Sequence, residues 1–175
     1  MIKLFGVAVV LLVLVVLALA ATKPASFRVE RSIAINAPPE KVLALITDFR
    51  AWAGWSPWET LDPGMKKTYT GAQTGKGAVY AWDGANSVGS GRMEITEVAA
   101  PSKVLIKLDF LRPFEAHNIT EFSLASAGGV TTLSWAMYGP TNFMTKVMSV
   151  FCSMDKMVGK DFAKGLASLK ALAEK

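Results

Sequence analysis

The chain has 175 residues, room for one ordinary domain and a short extension, which excludes a second folded domain of usual size. Its 19 lysines and arginines against 14 acidic residues give a net charge of +5, yet the basic residues are scattered and the longest run is Lys66-Lys67, so no nucleic-acid partner is expected. One cysteine, Cys152, and one histidine, His117, exclude an intrachain disulfide and a cysteine-built zinc site.

Residues 4–21 carry no charged or polar side chain. As a helix rising about 1.5 Å per residue they cover about 27 Å, close to the roughly 30 Å of a hydrocarbon core. Two readings stand for residues 1–22. Ala18-Leu19-Ala20 fits a small-x-small cleavage pattern behind a charged start at Lys3, as in a signal peptide. The apolar run exceeds the roughly 7–15 residues of a signal core, which favours a retained transmembrane anchor. Basic residues flank the run on both sides, so orientation is weakly specified; export of the domain is the expectation, with secretion or a periplasmic location as the alternative after cleavage.

Residues 23–26, with Lys23-Pro24, form a spacer, and the domain is expected over residues 27–175. Phe27, Val29, Ile33 and Ile35 share one parity while Arg28, Glu30 and Ser32 share the other, which predicts a half-buried strand whose apolar face Arg31 interrupts. Pro38-Pro39-Glu40 starts a helix in which Val42, Leu43 and Ile46 follow at helical spacing. From Thr60 to Tyr138, turn residues recur every 10–14 positions or so around β-rich runs, predicting an antiparallel meander of about six strands. Val104, Ile106, Leu108 and Phe110 make one such apolar face, and Leu133, Trp135 and Met137 another. Gly139-Pro140 ends the sheet, and from about Asn142 apolar residues at 3–4 spacing predict a long amphipathic helix to the C-terminus, with a bend at Gly159.

Arg31 to Val42, Thr47-Asp48-Phe49-Arg50-Ala51-Trp52 and Trp55-Ser56-Pro57-Trp58 together resemble the SRPBCC superfamily, particularly its polyketide cyclase/dehydrase and lipid-transport branch. Val88 to Met93 and Met154 to Phe162 are similar to segments of bacterial members that carry an N-terminal membrane segment. The resemblance implies an α+β, START-like helix-grip fold: a curved antiparallel sheet, two short helices after the first strand, and a long C-terminal helix closing an apolar cavity. It does not name a reaction, because so widely used a fold hosts carriers, receptors and enzymes.

Within that frame Trp55, Trp58, Tyr80, Trp82, Met93, Phe110, Trp135 and Met154 are the candidate ligand-binding residues, with core packing the competing role for each. Trp52, Trp55 and Trp58 recur every third residue and either rim a pocket or cap the core. His117, Tyr80 and Asp155 are the weak candidates for acid–base chemistry; no nucleophile turn, phosphate loop, dinucleotide loop or HExxH sequence accompanies them. Lys156, Lys160 and Lys164 form a basic ridge, either an ordinary solvated face or a contact for anionic headgroups. No carboxylate cluster has metal-ligand spacing, and neither a metal nor a cofactor is expected. The expected partners are a hydrophobic small molecule or lipid and, through residues 4–21, a membrane. The alternatives are a polyketide cyclase or dehydratase-like enzyme and a non-catalytic interaction module of the envelope.

Overall fold

The computed structural model describes residues 2–85 and 88–175, with side chains described from Gly6 onward. Helix α1 (Ile2–Ala21) is followed by strand β1 (Ser26–Ile35), helix α2 (Pro39–Thr47) and two four-residue 3-10 turns, Ala51–Gly54 and Pro57–Thr60. Strands β2 (Lys66–Gly71), β3 (Ala78–Asp83), β4 (Ser90–Ala99), β5 (Lys103–Arg112), β6 (Ala116–Ala127) and β7 (Val130–Pro140) come next, then helices α3 (Phe143–Phe151) and α4 (Met154–Ala173). The seven strands form one sheet in the order β1-β7-β6-β5-β4-β3-β2, antiparallel throughout, so only β1 and β2 are edges. The meander follows from short turns: each of β2 to β7 pairs with its neighbour in sequence. Two register shifts between β4 and β5, at Ser90/Gly91 and Ile95/Glu97, bend the sheet, as bulges do by adding an unpaired residue and local twist.

Helix α4 lies along β1 and touches α2 and both 3-10 turns. Phe162, Leu166 and Leu169 are its fully buried stripe and meet Val29, Ile35, Phe122, Leu133 and Trp135 of the sheet. Two glycines set how close the helix comes. A Cβ at Gly165 would lie 2.9 Å from Trp135 Cζ3 and 3.0 Å from Pro57 Cδ, and one at Gly159 would collide with the Arg31 guanidinium. That second contact explains the interrupted face of β1: Arg31 shares parity with Val29 and Ile33, crosses under α4 where Gly159 leaves room, and pairs with Asp155 at 2.8 Å.

Two details depart from the sequence expectation. The C-terminal helix is not one helix bent at Gly159; the chain breaks earlier, where Cys152 is extended and Ser153 starts a new helix by accepting a hydrogen bond from the Lys156 N–H. Asn142 caps α3 in the same way through the Thr145 N–H, so the two segments have separate start signals. The second short helix after β1 is a pair of 3-10 turns, because Gly54 and Pro57 punctuate too closely for an α-helix. Helix α1 contains 20 residues, with side chains described from Gly6; among the described residues no helix is long and apolar enough to cross a membrane.

The approach of α4 gives a testable consequence. Gly165→Ala improves intrinsic helix propensity by about 1 kcal/mol, while crowding a ring that cannot move aside costs roughly 1–3 kcal/mol. A net fall in thermal midpoint of about 2–4 °C is expected by circular dichroism; a rise would show that Trp135 is free to shift.

Candidate functional site

The interior between α4 and the sheet is occupied by rings. Trp135 stacks on Phe162 with centroids 4.3 Å apart and planes 10° from parallel, and on its other side meets Phe122 at 5.1 Å. Trp55 and Trp58 approach Trp135 edge-on at 5.4 and 5.7 Å. The indole N–H of Trp52 donates to the Ile46 carbonyl at 2.9 Å and that of Trp55 to the Leu45 carbonyl at 3.1 Å. Both polar handles are therefore spent on the last turn of α2, which leaves Trp52 and Trp55 as packing residues that pin the 3-10 turn. Trp135 Nε1 is buried with no hydrogen-bond partner.

A second row of rings runs along the far half of the sheet. Tyr69, Tyr80 and Trp82 stack successively at 5.2 and 5.9 Å, and Trp82 meets Phe110 edge-on at 5.8 Å. Met93 is buried opposite Tyr80 on β4. Phe110 leads out of this row into a hollow of about 210 Å³ at the end of the sheet where α3 meets α4. Its lining is largely apolar: Phe27, Phe110, Phe114, Pro140, Met148, Met154 and Met157, with Arg112, Thr145, Ser149 and Cys152 adding polar atoms. Asn118 also lines it, 5% exposed, and its Oδ1 is buried with no partner.

Of the residues singled out from sequence, Phe110 and Met154 thus line an open space, while Trp55, Trp58, Tyr80, Trp82, Met93 and Trp135 belong to the packed interior or its margin. The division has a physical cause. Aromatic rings pack between α4 and the sheet and fill the central volume, so the hollow lies where the elbow at Cys152-Ser153 lifts α3 away from the sheet, and a smaller space of about 140 Å³ lies beside β2 and β3, against Phe49, Arg50, Tyr69 and Ala78; α3 has no buried residue. A space of this size is somewhat larger than an apolar hole of about 150 Å³ that admits benzene and smaller than the roughly 300–1,000 Å³ of sites for drug-sized ligands.

The three acid–base candidates do not converge on it. His117 lies on the outer face of β6, where its Nδ1 sits 2.7 Å from Asp109 Oδ1. Asp155 is exposed and held by Arg31, whose hydrogen bond keeps its carboxyl below the usual carboxylate range. Tyr80 faces inward, but its hydroxyl donates to Glu59 Oε1 at 2.8 Å, and burial together with that carboxylate pushes its pKa far up. Glu59, whose side chain is 5% exposed, also pairs with Lys67. This buried carboxylate and the Asn118 amide are the polar groups the sequence did not single out. Asn118 was detectable in principle, because it shares β6 parity with Phe122 and Leu124; Glu59 sits in a 3-10 turn that has no periodicity to read. Among the described residues no group of three or more histidine, cysteine, aspartate or glutamate side chains is placed to hold a metal.

A curved antiparallel sheet gripping a long C-terminal helix defines the helix-grip class. The chain belongs to the family described as polyketide cyclase / dehydrase and lipid transport, whose model matches residues 26–174. No curated protein matches the chain. Among solved structures it is similar to the di-domain ARO/CYC BexL from the BE-7585A biosynthetic pathway, at TM-score 0.63 and 15% identity, covering 90% of this chain and 53% of that one. It is similar also to major latex-like protein 151 of Panax ginseng, at TM-score 0.61 and 10% identity over 87% and 100% of the two chains. The Aha1 dimer of Colwellia psychrerythraea is a third, at 0.58 and 15% over 85% and 96%. Identities this low establish the fold and leave the activity to the site.

The His117–Asp109 pair makes a definite pH prediction. Burial pushes the Asp109 carboxyl up, but hydrogen bonds from His117 and Lys107 outweigh it and hold it below its ordinary value. The same bond raises His117 above its ordinary value. The histidine contribution to stability is therefore full below the unfolded pKa of about 6.5 and lost as pH rises through the folded value; the aspartate contribution is lost as pH falls through its lowered one. As the one histidine, His117 gives a single imidazole titration by NMR. Its midpoint is expected above about 6.5 and to drop in Asp109→Asn.

Proposed function

We propose that the chain is a membrane-tethered domain that sequesters or transfers a hydrophobic small molecule or lipid in the hollow between α3, α4 and the sheet. The observation that carries this reading is the position of that hollow. It is lined by Phe27, the second residue of β1, and by Pro140, the last residue of β7, so it lies beside the spacer that joins α1 to the domain. The Thr141 N–H donates to the Ala25 carbonyl at 2.9 Å, fixing the spacer there. For the tether, the support is the uninterrupted apolar run from Leu4 to Ala21 and the exposure of α1, where Val16 and Ala20 are the two described residues not left exposed. Apolar area that a ligand removes from water in the hollow contributes about 25 cal/mol per Å², and Asn118 is a polar residue of its lining.

Two variants test the site. Met154→Trp and Ala116→Trp fill the hollow from opposite walls, and each is expected to weaken binding of a fluorescent fatty-acid probe by tenfold or more, about 1.4 kcal/mol. Glu97→Trp, on an exposed stretch of β4, should leave binding unchanged. Protein that carries no extractable lipid and ignores the probe in every form would overturn the reading.

A cyclase-like activity is the second reading, favoured by the buried Glu59–Tyr80 hydrogen bond, a paired acid and phenol next to the aromatic row. It requires Tyr80→Phe to abolish turnover of a polyketide-like substrate with probe affinity intact.

A further inference from the structure

We propose that the end of the domain formed by α3 and the β5–β6 turn is a lipid-bilayer docking surface, seated in the interfacial layer of the membrane that α1 enters, so that the hollow opens into acyl chains and not into water. The proposal rests on the tethered-carrier reading above and adds the route by which its ligand arrives.

Three observations on separate parts of the chain meet at this end. Helix α3 is amphipathic and contains no buried residue, and it leaves Phe143 and Phe151 60% and 75% exposed. Across the mouth of the hollow, the end of β5 and the β5–β6 turn project Leu111 and Phe114 at 57% and 53%. Large side chains such as these rarely stand out together on a domain bathed in water, and grouped they mark a surface that meets an apolar phase.

The second observation identifies that phase. Helix α3 packs against α1, and the two described positions of α1 that are not exposed, Val16 and Ala20, lie one helical turn apart near its C-terminal end. In a helix that enters a bilayer from Leu4, the last turns before the spacer lie near the headgroups. A short amphipathic helix packed there lies at the depth where such helices settle, with the apolar side about 5–10 Å into the acyl boundary. The apolar surface of α1 meets α3, and across the hollow the β5–β6 turn carries Phe114 between the exposed Arg112 and Glu115, an apolar side chain with charged neighbours of the kind that sits at a headgroup boundary.

The third observation is the position of the hollow between these two projections. Met148 of α3 and Phe114 of the turn belong both to its lining and to the exposed apolar set. With the rim in the interface, a chain leaving the bilayer for the hollow crosses no water. The hollow of about 210 Å³ is bounded on one side by a helix that buries nothing in the domain, so moving α3 against lipid enlarges it without breaking the core.

The test uses the full chain in phosphatidylcholine nanodiscs, with Cys152 replaced by serine and single cysteines placed by Phe114→Cys, Phe143→Cys and Ser126→Cys, each carrying a fluorophore. Ser126 stands near the far end of β6, about 33 Å from its start at 3.3 Å per residue. Nitroxide lipids are expected to quench the first two labels at least threefold more strongly than the third, and aqueous iodide to quench only the third. The preference should persist at high salt, since apolar insertion drives it; loss in salt would assign the contact to the lysine ridge and overturn the proposal. Three labels that respond alike, all to iodide, would also overturn it. Probe binding measured on the same samples separates the two claims: water-exposed labels with intact probe affinity refute the docking surface and leave the carrier reading standing, whereas lipid-quenched labels with no probe binding refute the carrier reading alone.

Discussion

The stack of Trp135 on Phe162 is the contact around which the interior is arranged. A ring pair at 4.3 Å requires the α4 backbone to come down onto β7, and that is possible because position 165, one turn beyond Phe162, has no side chain. Once α4 is held there, the remaining rings have little choice. Trp55 and Trp58 fill the flank left between α4 and the 3-10 turns, Phe122 closes the opposite face of Trp135, and the indole N–H groups of Trp52 and Trp55 tie the turns to α2. The close fit at one end of the helix determines where space is left at the other.

That asymmetry separates this interior from a deep central cavity closed by one straight helix. The helix here is two helices with separate caps, and the elbow between them lets α4 press on the sheet while α3 departs from it toward α1. Packing energy is concentrated under α4, and the part of the structure with fewest buried groups lies over the hollow. A binding site in such a place can change its volume at small cost to the fold, because local opening requires few apolar contacts to be broken.

The order of strands and helices was legible because each β segment carried period-2 alternation and each turn its glycine or proline, and the family resemblance in Arg31 to Trp58 pointed to the same topology. The break before Ser153 was hidden by apolar residues that keep helical spacing straight across it, from Phe151 to Met154 and Val158, while the capping serine is a small signal beside a long stripe. The site was harder to read for a different reason. Aromatic residues on an inner strand face look the same in sequence whether they line a void or fill it, and only the distance of the facing helix decides; Phe110 and Met154 differ from Trp135 and Trp58 in that respect and not in type. Arg31 shows the converse. It looked like a flaw in the apolar pattern and is a paired residue whose route depends on Gly159, 128 positions away by number (159 less 31).

Strand β2 has a role unrelated to any ligand. It is the uncovered edge of the sheet, since the other edge, β1, runs beneath α4, and it is only six residues long, opens with Lys66-Lys67 and ends at Gly71. A bare edge is a template for a strand of a neighbouring molecule, and short length and lysines are the ordinary means of refusing one. Domains confined to a surface meet far more often than the same number in solution, and always with similar ends up, so the tether proposed above would give this chain more need than most of an edge that neighbours cannot join.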